Sequence, residues 1–214
     1  MRIAVMDLDG TLVDSFEDIA GATNHALVSL GASPLSTAEI KSHVGHGLRN
    51  LLQSLLPDPG EETLDRAMEM VQSYYSEHPT DHSVLYPGVS AALDRLGRAG
   101  VCRVVLSNKT DPLVQLIAKD LGLDGHTEEI RGHRDGFPLK PDPTSLMDIL
   151  NRYGCTPDQC VVVGDYSPDQ ELARNAGARF CAVTWGMTPR EGWELRNGDW
   201  IIDRPEELAE LLGG

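Results

Sequence analysis

Apolar, strand-like segments alternate with helical patterns through the second half of this 214-residue chain. The strand-like segments are residues 101–106, 161–164, 179–183 and 200–202, and the helical patterns are residues 113–121, 146–153, 171–176 and 205–212. Such alternation is typical of parallel strands joined by helical crossovers. Together with the short apolar run at residues 3–6, it predicts an α/β fold built on a doubly wound parallel sheet.

The first part of the chain follows a different pattern. Between residues 15 and 85 the apolar residues recur at helical spacing, as in Leu48, Leu51 and Leu55, and no strand is evident. Turn-forming residues at 57–60 and 86–88 divide and end this stretch. We therefore predict an all-helical cap domain at residues 15–85, inserted into a core formed by residues 1–14 and 86–214.

Composition narrows the functional classes. A formal net charge of −15 disfavours binding to nucleic acid through broad electrostatics. No long uncharged apolar run is present, and a strand pattern begins directly after Arg2, so we expect neither a membrane span nor a signal peptide, and a cytoplasmic protein. The four cysteines lack CxxC spacing and are expected to be mostly buried thiols. The oligomeric state is not indicated.

The first chemical motif reads DLDGTLVDS and follows the apolar run at residues 3–6. Asp7 and Asp9 are two residues apart, so on an extended chain they point to the same side and repel each other unless a metal or a proton intervenes. A hard divalent cation would bind one carboxylate together with a substrate phosphate, and a protonated second carboxyl would donate to a leaving group. Gly10 permits a sharp chain reversal.

Two plainer interpretations of this motif are weaker. An EF-hand loop requires Gly at its sixth position and Glu at its twelfth, where this chain has Leu12 and Asp18. A polar turn that caps the next helix would account for Ser15. It would not account for Asp7, because a carboxylate at the end of a buried strand is costly without a partner.

Two further motifs are weak individually. Ser107-Asn108-Lys109 follows a strand-like run, and ligands collect beyond the carboxyl ends of parallel strands, so we expect Ser107 to lie beside Asp7 and to suit phosphate oxygens. The plainer interpretation is a polar turn that caps a helix. Lys140 precedes Pro141 and could reach an anion, although a lone lysine near prolines is usually solvated.

The last motif reads VVVGDYSPD and places Asp165 at another strand end. A buried carboxylate there requires a partner, which a metal shared with the first motif would supply. The following residues predict a helix start with Ser167 at the N-cap and Gln170 completing a capping box. Asp169 then falls in the first helical turn, either as a metal ligand or through a favourable interaction with the helix dipole.

In this order the four motifs resemble the haloacid dehalogenase superfamily along the whole chain: Asp7-x-Asp9, Ser107, Lys140 and the Asp165–Asp169 pair. The helical insertion is similar to the C1-type cap of the subfamily that contains phosphoglycolate phosphatases, phosphomutases and phosphonatases. Residues 44–48 resemble a cap segment of the phosphoglycolate phosphatase branch. The resemblance implies a Rossmann-like α/β core with the inserted cap.

The resemblance also implies a chemistry. It is that of a Mg2+-dependent phosphatase that hydrolyses a small phosphorylated metabolite, with 2-phosphoglycolate favoured, through an aspartyl-phosphate formed on Asp7. Asp9 would protonate the leaving oxygen and then activate water. Mg2+ would be held by the Asp7 carboxylate, the Asp9 carbonyl, Asp165 and Asp169.

Phosphate and substrate binding is assigned on the same basis. The residues expected to bind are Gly10, Thr11, Ser107, Asn108, Lys140 and Arg49. Arg49 would contact either the second phosphate of a mutase substrate or the carboxylate of a small phosphorylated acid, and is otherwise an exposed helical arginine. The alternatives to a phosphatase are a phosphomutase and a non-catalytic scaffold that binds a phosphorylated metabolite.

Overall fold

The computed structural model describes residues 2–212. Within them the strands are β1 (Arg2–Met6), β2 (Val13–Asp14), β3 (Val84–Leu85), β4 (Val101–Thr110), β5 (Glu129–His133), β6 (Cys160–Gly164), β7 (Arg179–Val183) and β8 (Trp200–Ile202). The α-helices are α1 (Phe16–Ser29), α2 (Thr37–Lys41), α3 (Leu48–Leu55), α4 (Glu61–Glu77), α5 (Val89–Arg98), α6 (Asp111–Asp120), α7 (Thr144–Tyr153), α8 (Ser167–Ala176) and α9 (Pro205–Leu212).

The main sheet is parallel and has six strands in the order β5-β4-β1-β6-β7-β8. The chain runs outward from β1 to β4 and β5, and then returns across β1 to build the other half from β6. The direction of winding therefore reverses beside β1, and the loops after β1, β4 and β6 surround this switch point, where ligands of open α/β sheets bind. The predicted fold class is confirmed.

Both faces of the sheet are buried. Along β1, Ala4 and Met6 belong to one hydrophobic cluster, while Ile3 and Val5 belong to the other, as expected when successive side chains alternate across a strand. Helices α7 and α8 contribute to the second cluster, whereas the first is continuous with the buried residues of α1 to α4. The four helices that we assigned to a cap thus share one apolar core with the sheet.

Strands β2, β3 and β5 and helix α5 were not predicted. The antiparallel pair β2–β3 joins Val13 to Leu85, and its two-residue strands are too short to show any periodicity. Strand β5 at the sheet edge lacks an apolar run, and its buried Arg131 is held by ion pairs with Glu129 and Asp148. Helix α5 does carry apolar residues at helical spacing, so its signal was available in the sequence.

Other local expectations have mixed outcomes. The four cysteines are free and buried, as expected. The prediction that Ser167 caps α8 is wrong: Tyr166 occupies the N-cap position, no side chain caps the helix, and the Gln170 amide donates instead to the carbonyl of Glu194. Asp169 does lie in the first turn of α8. Among the helices of residues 2–212, none is long and apolar enough to cross a membrane.

Candidate active site

Three carboxylates from two strand ends meet at the switch point. Asp7 follows β1, while Asp165 follows β6 and Asp169 lies one turn into α8. Their nearest oxygens all lie within 4.8 Å of one another. The parallel strands bring them together, since β1 pairs directly with β6. Oxygen atoms at this spacing could hold a divalent cation.

Lys140 is the cation at the centre of this cluster. Its ammonium lies 2.9 Å from Asp7 Oδ1 and 2.7 Å from Asp169 Oδ1, and it donates to the carbonyl of Leu106 at 3.1 Å. These contacts use all three ammonium protons. The side chain is buried, so the solvated-lysine interpretation is excluded. One lysine nevertheless offsets only one of the three negative charges.

The pKa values of two of these carboxylates are raised by burial and by the neighbouring negative charges. Burial raises the pKa of Asp7 to about 8; Lys140 opposes this shift, and the carboxylates of Asp169 and Asp165 reinforce it. Burial likewise raises the pKa of Asp165 to about 7, and the repulsion from Asp169 adds to it. Burial by itself would lower the pKa of Lys140, but Asp169 and Asp7 raise it, so the lysine stays charged. An additional cation would relieve the repulsion.

Asp165 lies in a close backbone cradle. It accepts hydrogen bonds from the Thr11 hydroxyl at 2.8 Å and from the Met187 amide at 2.9 Å. A Cβ atom at Gly10 or Gly186 would collide with its carboxylate, and Gly10 has a φ of +82°. Glycine is therefore required at position 10 both by the turn and by the approach of Asp165.

The structure gives Gly10 and Thr11 a different role from the predicted one. The Gly10 amide donates to the carbonyl of Val13, and the Thr11 amide donates to the carbonyl of Leu8. The Thr11 hydroxyl is used by Asp165. Both residues therefore position the acidic cluster, and their donors are already occupied rather than directed at a phosphate.

Asp9 belongs to a second, separate cluster. Its Oδ1 accepts from the ammonium of Lys109 at 2.6 Å and from the hydroxyl of Ser15. The Lys109 ammonium also donates to the hydroxyl of Tyr75 at 3.0 Å. Asp7 and Asp9, which we expected to need a metal or a proton between them, contact different lysines, Lys140 and Lys109. The Asp9 carboxylate is not among the three grouped oxygen ligands.

Lys109 was not among the residues that we predicted for the site, although it belongs to the Ser107-Asn108-Lys109 motif. A signal was available, since Lys109 is two residues beyond Ser107 on β4 and so projects to the same side. Tyr75 continues the buried stripe of α4 after Val71, which predicts burial but not contact with a lysine. Ser15 does occupy the N-cap position of α1, although its hydroxyl bonds Asp9 rather than the helix.

The loop after β4 connects the site to its surroundings. The Asn108 amide donates to the carbonyls of Gly45 at 3.0 Å and Lys140 at 3.1 Å, and its carbonyl accepts from the Lys140 amide at 2.8 Å. The hydroxyl of Ser107 accepts from the Lys109 amide at 3.2 Å. Ser107 and Asn108 both line the cavity beside the acidic cluster.

The helical segment, residues 15–85, contacts the rest of the protein through a loop that contains Gly45 and Gly47. A Cβ atom at Gly45 would lie 2.6 Å from the Tyr166 ring, and one at Gly47 would lie 2.7 Å from Leu139. Both glycines have positive φ, so larger residues are disfavoured there on two grounds. Tyr166 also lines the cavity.

Arg49 lies away from the site. It forms ion pairs with Glu61 and with Asp65 on α4, its side chain is 40% exposed, and it is not among the residues that line the cavity. This placement matches the alternative interpretation, in which Arg49 is an exposed arginine on a helix. A substrate contact would require both ion pairs to break.

The cavity between the acidic clusters and the helical segment has a volume of about 80 Å³. One end carries the polar residues already described. The rest of the wall is mainly aliphatic: Ile19, Val44, Leu48, Leu51, Val71 and Leu113. The arrangement thus places the two carboxyl groups of Asp7 and Asp9 and the lysine Lys109 at one cavity, with Lys140 bound to Asp7.

The chain matches the family model described as haloacid dehalogenase-like hydrolase over residues 4–183. It is similar to a phosphoglycolate phosphatase of Aquifex aeolicus (31% identity, covering 99% of this chain and 97% of the relative) and to one of Chromobacterium violaceum (35%, 99% and 96%). Its structure resembles that of a protein described as a predicted phosphoglycolate phosphatase from Haemophilus somnus, with a TM-score of 0.87, 26% identity and coverage of 99% and 97%. The chain therefore belongs to the haloacid dehalogenase-like hydrolase family and is a phosphatase.

Proposed function

We propose that this protein is a Mg2+-dependent phosphatase that hydrolyses a small phosphorylated metabolite through an aspartyl-phosphate on Asp7. The observation that carries the proposal is the meeting of three carboxylates within 4.8 Å of one another, two of which, Asp7 and Asp169, share Lys140. In this proposal residues 1–14 and 86–214 form the catalytic core, and residues 15–85 form the cap.

The donor set fits Mg2+. Burial and the neighbouring carboxylates together raise the pKa values of Asp7 and Asp165, and hard carboxylate oxygens are the ligands that this ion prefers. Asp7, Asp165 and Asp169 would hold it through their carboxylates, and Asp9 through its backbone carbonyl. When bound, the ion would neutralise charge on the phosphoryl oxygens.

The hydrogen bonds of Asp7 select its attacking atom. Its Oδ1 is engaged by the amide of Leu8 at 2.7 Å and by Lys140 at 2.9 Å. Among residues 2–212 its Oδ2 has no hydrogen-bond partner, so this oxygen would attack phosphorus. Ser107 and the Asn108 backbone would hold the phosphoryl oxygens in the transition state, and the charge of Lys140 would offset the negative charge on them.

In Asp9, as in Asp7, only one of the two carboxylate oxygens accepts the hydrogen bonds described. Lys109 and Ser15 both contact its Oδ1, which leaves Oδ2 to carry the proton to the leaving oxygen and later to accept one from the attacking water. The helical segment covers both clusters and would exclude bulk water while the intermediate exists.

We propose 2-phosphoglycolate as the substrate, supported by the phosphoglycolate phosphatases among the relatives. The phosphomutase alternative gains no support, because Arg49, its candidate for a second phosphate, is engaged by Glu61 and Asp65.

The test is release of phosphate from p-nitrophenyl phosphate with Mg2+, comparing the unchanged protein with Asp7→Asn. We expect Asp7→Asn to lose at least about a thousandfold in rate, since it removes the nucleophile. Asp14→Asn is the matched control, because Asp14 is an exposed carboxylate in the same segment. Equal release by the unchanged protein and Asp7→Asn would refute the proposal.

A further inference from the structure

One wall of the cavity carries three side chains that each have a donor proton without an acceptor among residues 2–212. Thr23 on α1, Tyr75 on α4 and Lys109 on β4 all line the cavity. They come from three different elements, and none of them belongs to the Asp7 cluster.

Thr23 provides the most direct observation. The residue is completely buried, and its hydroxyl has no hydrogen-bond partner among the described residues. Buried hydroxyl groups in native proteins are almost always paired. The Thr23 hydroxyl therefore leaves one unused donor on this wall of the cavity.

Tyr75 and Lys109 add two more donors. The Tyr75 hydroxyl accepts from Lys109, and within residues 2–212 no acceptor takes its own proton. Burial raises the pKa of Tyr75 to about 12, so this proton is retained. The Lys109 ammonium has three protons, of which Asp9 and Tyr75 use two.

The surplus of donors defines the ligand chemistry. Three donors, one of them cationic, require acceptor oxygens, and a carboxylate supplies several acceptor sites on a planar group. The remaining wall is mainly aliphatic, which suits a short carbon skeleton between the two anionic groups. Because Lys109 contacts Asp9 directly, a group bound at Lys109 would lie next to the carboxyl that protonates the leaving oxygen.

We propose that Thr23, Tyr75 and Lys109 form a leaving-group subsite that binds a carboxylate, so that the substrates are small phosphorylated hydroxy acids. This inference rests on the proposed phosphatase function and deepens it. The carboxylate, which we expected from the sequence to contact Arg49, would instead bind inside the cavity.

The experiment compares two substrates that differ in one group. 2-Phosphoglycolate carries the carboxylate, and 2-hydroxyethyl phosphate has an alcohol in its place. Thr23→Val and Tyr75→Phe each remove one hydroxyl and keep the side-chain shape. We expect each variant to lower kcat/KM for 2-phosphoglycolate about tenfold or more, mainly through KM, and to change that for 2-hydroxyethyl phosphate by less than about twofold.

Matched controls are available on α4. Tyr74→Phe removes a hydroxyl from a ring that stacks on His25 and His78 instead of lining the cavity, and Thr63→Val changes an exposed threonine. Neither control should alter the ratio between the two substrates. The subsite proposal is overturned if the unchanged protein shows no preference for 2-phosphoglycolate, or if Thr23→Val affects both substrates equally.

A binding measurement separates this proposal from the proposed function. Calorimetry with Asp7→Asn protein and Mg2+ measures the affinity for each phosphate ester without turnover. Tighter binding of 2-phosphoglycolate, lost about tenfold when Thr23→Val is added, supports the subsite even if hydrolysis is not observed. If the protein hydrolyses p-nitrophenyl phosphate but does not bind 2-phosphoglycolate more tightly, the phosphatase proposal stands and the subsite proposal is wrong.

Discussion

Asp7 and Asp9 lie two residues apart, yet their surroundings differ in charge. Asp7 shares Lys140 with Asp169 and lies near Asp165, so three carboxylates meet one lysine. Asp9 has Lys109 to itself, together with neutral hydroxyl groups. The first cluster is deficient in positive charge, whereas the second is balanced.

This difference assigns the two chemical roles. A cluster with excess negative charge attracts a metal ion and through it a phosphate, which suits a nucleophile. A balanced pair gains nothing from a metal, and one free carboxylate oxygen beside an ammonium suits proton transfer. In the proposed mechanism, two identical side chains on one short loop would thus take different roles according to the lysine that each one contacts.

The largest expected effect comes from removing either lysine. Lys140→Met leaves Asp7 and Asp169 without their cation and should lower the free energy of unfolding by about 3–5 kcal/mol in the absence of metal. Lys109→Met leaves Asp9 its bond from Ser15 and should cost about 1–3 kcal/mol. Urea unfolding with and without Mg2+ measures both. Equal losses, or recovery of both variants by Mg2+, would contradict the comparison.

Stability should also depend on pH when metal is absent. The pKa of Asp7 is about 8 and that of Asp165 about 7 in the folded state, both above the ordinary value of 3.8. The folded protein therefore holds more protons than the unfolded chain, and the free energy of unfolding should fall as the pH rises from about 4 to about 8.

Mg2+ should remove this loss at the upper end of the range. At 100 times its Kd the ion adds about 2.7 kcal/mol, and it competes with protons for the same oxygens. Thermal melts at several pH values, in chelator and in Mg2+, measure the effect. A melting temperature that rises with pH in chelator would show that the carboxylate cluster is not charge-deficient.

The smallest effects distinguish the two hydroxyl groups that donate to the carboxylates. Thr11→Val removes a donor from Asp165 and should weaken Mg2+ binding about tenfold, because such contacts orient a metal ligand. Ser15→Ala removes a donor from Asp9, should cost about 1 kcal/mol of stability and should leave Mg2+ affinity unchanged. Titration of both variants with Mg2+ measures these affinities. An equal loss of Mg2+ affinity in the two variants would show that Asp9 and Asp165 belong to one metal site.

The parallel strands were predictable because their apolar runs are local features. Strands β6, β7 and β8 were found within a residue of their ends, whereas β5 was missed since its residues are polar and buried through ion pairs. The side-chain contacts were harder. The sequence located Asp7, Asp165 and Lys140 at the right loops, but Lys109 was left without a role and Arg49 was assigned to a site from which its ion pairs hold it away.

The sequence by itself determined the fold class and the set of chemical groups at the strand ends, because strand periodicity and turn residues act over a few neighbouring positions. The tertiary structure decided the pairing of those groups. Which lysine reaches which carboxylate depends on strand order and on how the helical segment packs over the sheet, and these bring together residues about a hundred positions apart, such as Asp9 and Lys109. Electrostatic interaction depends on distance through space, which the order of residues along the chain does not specify.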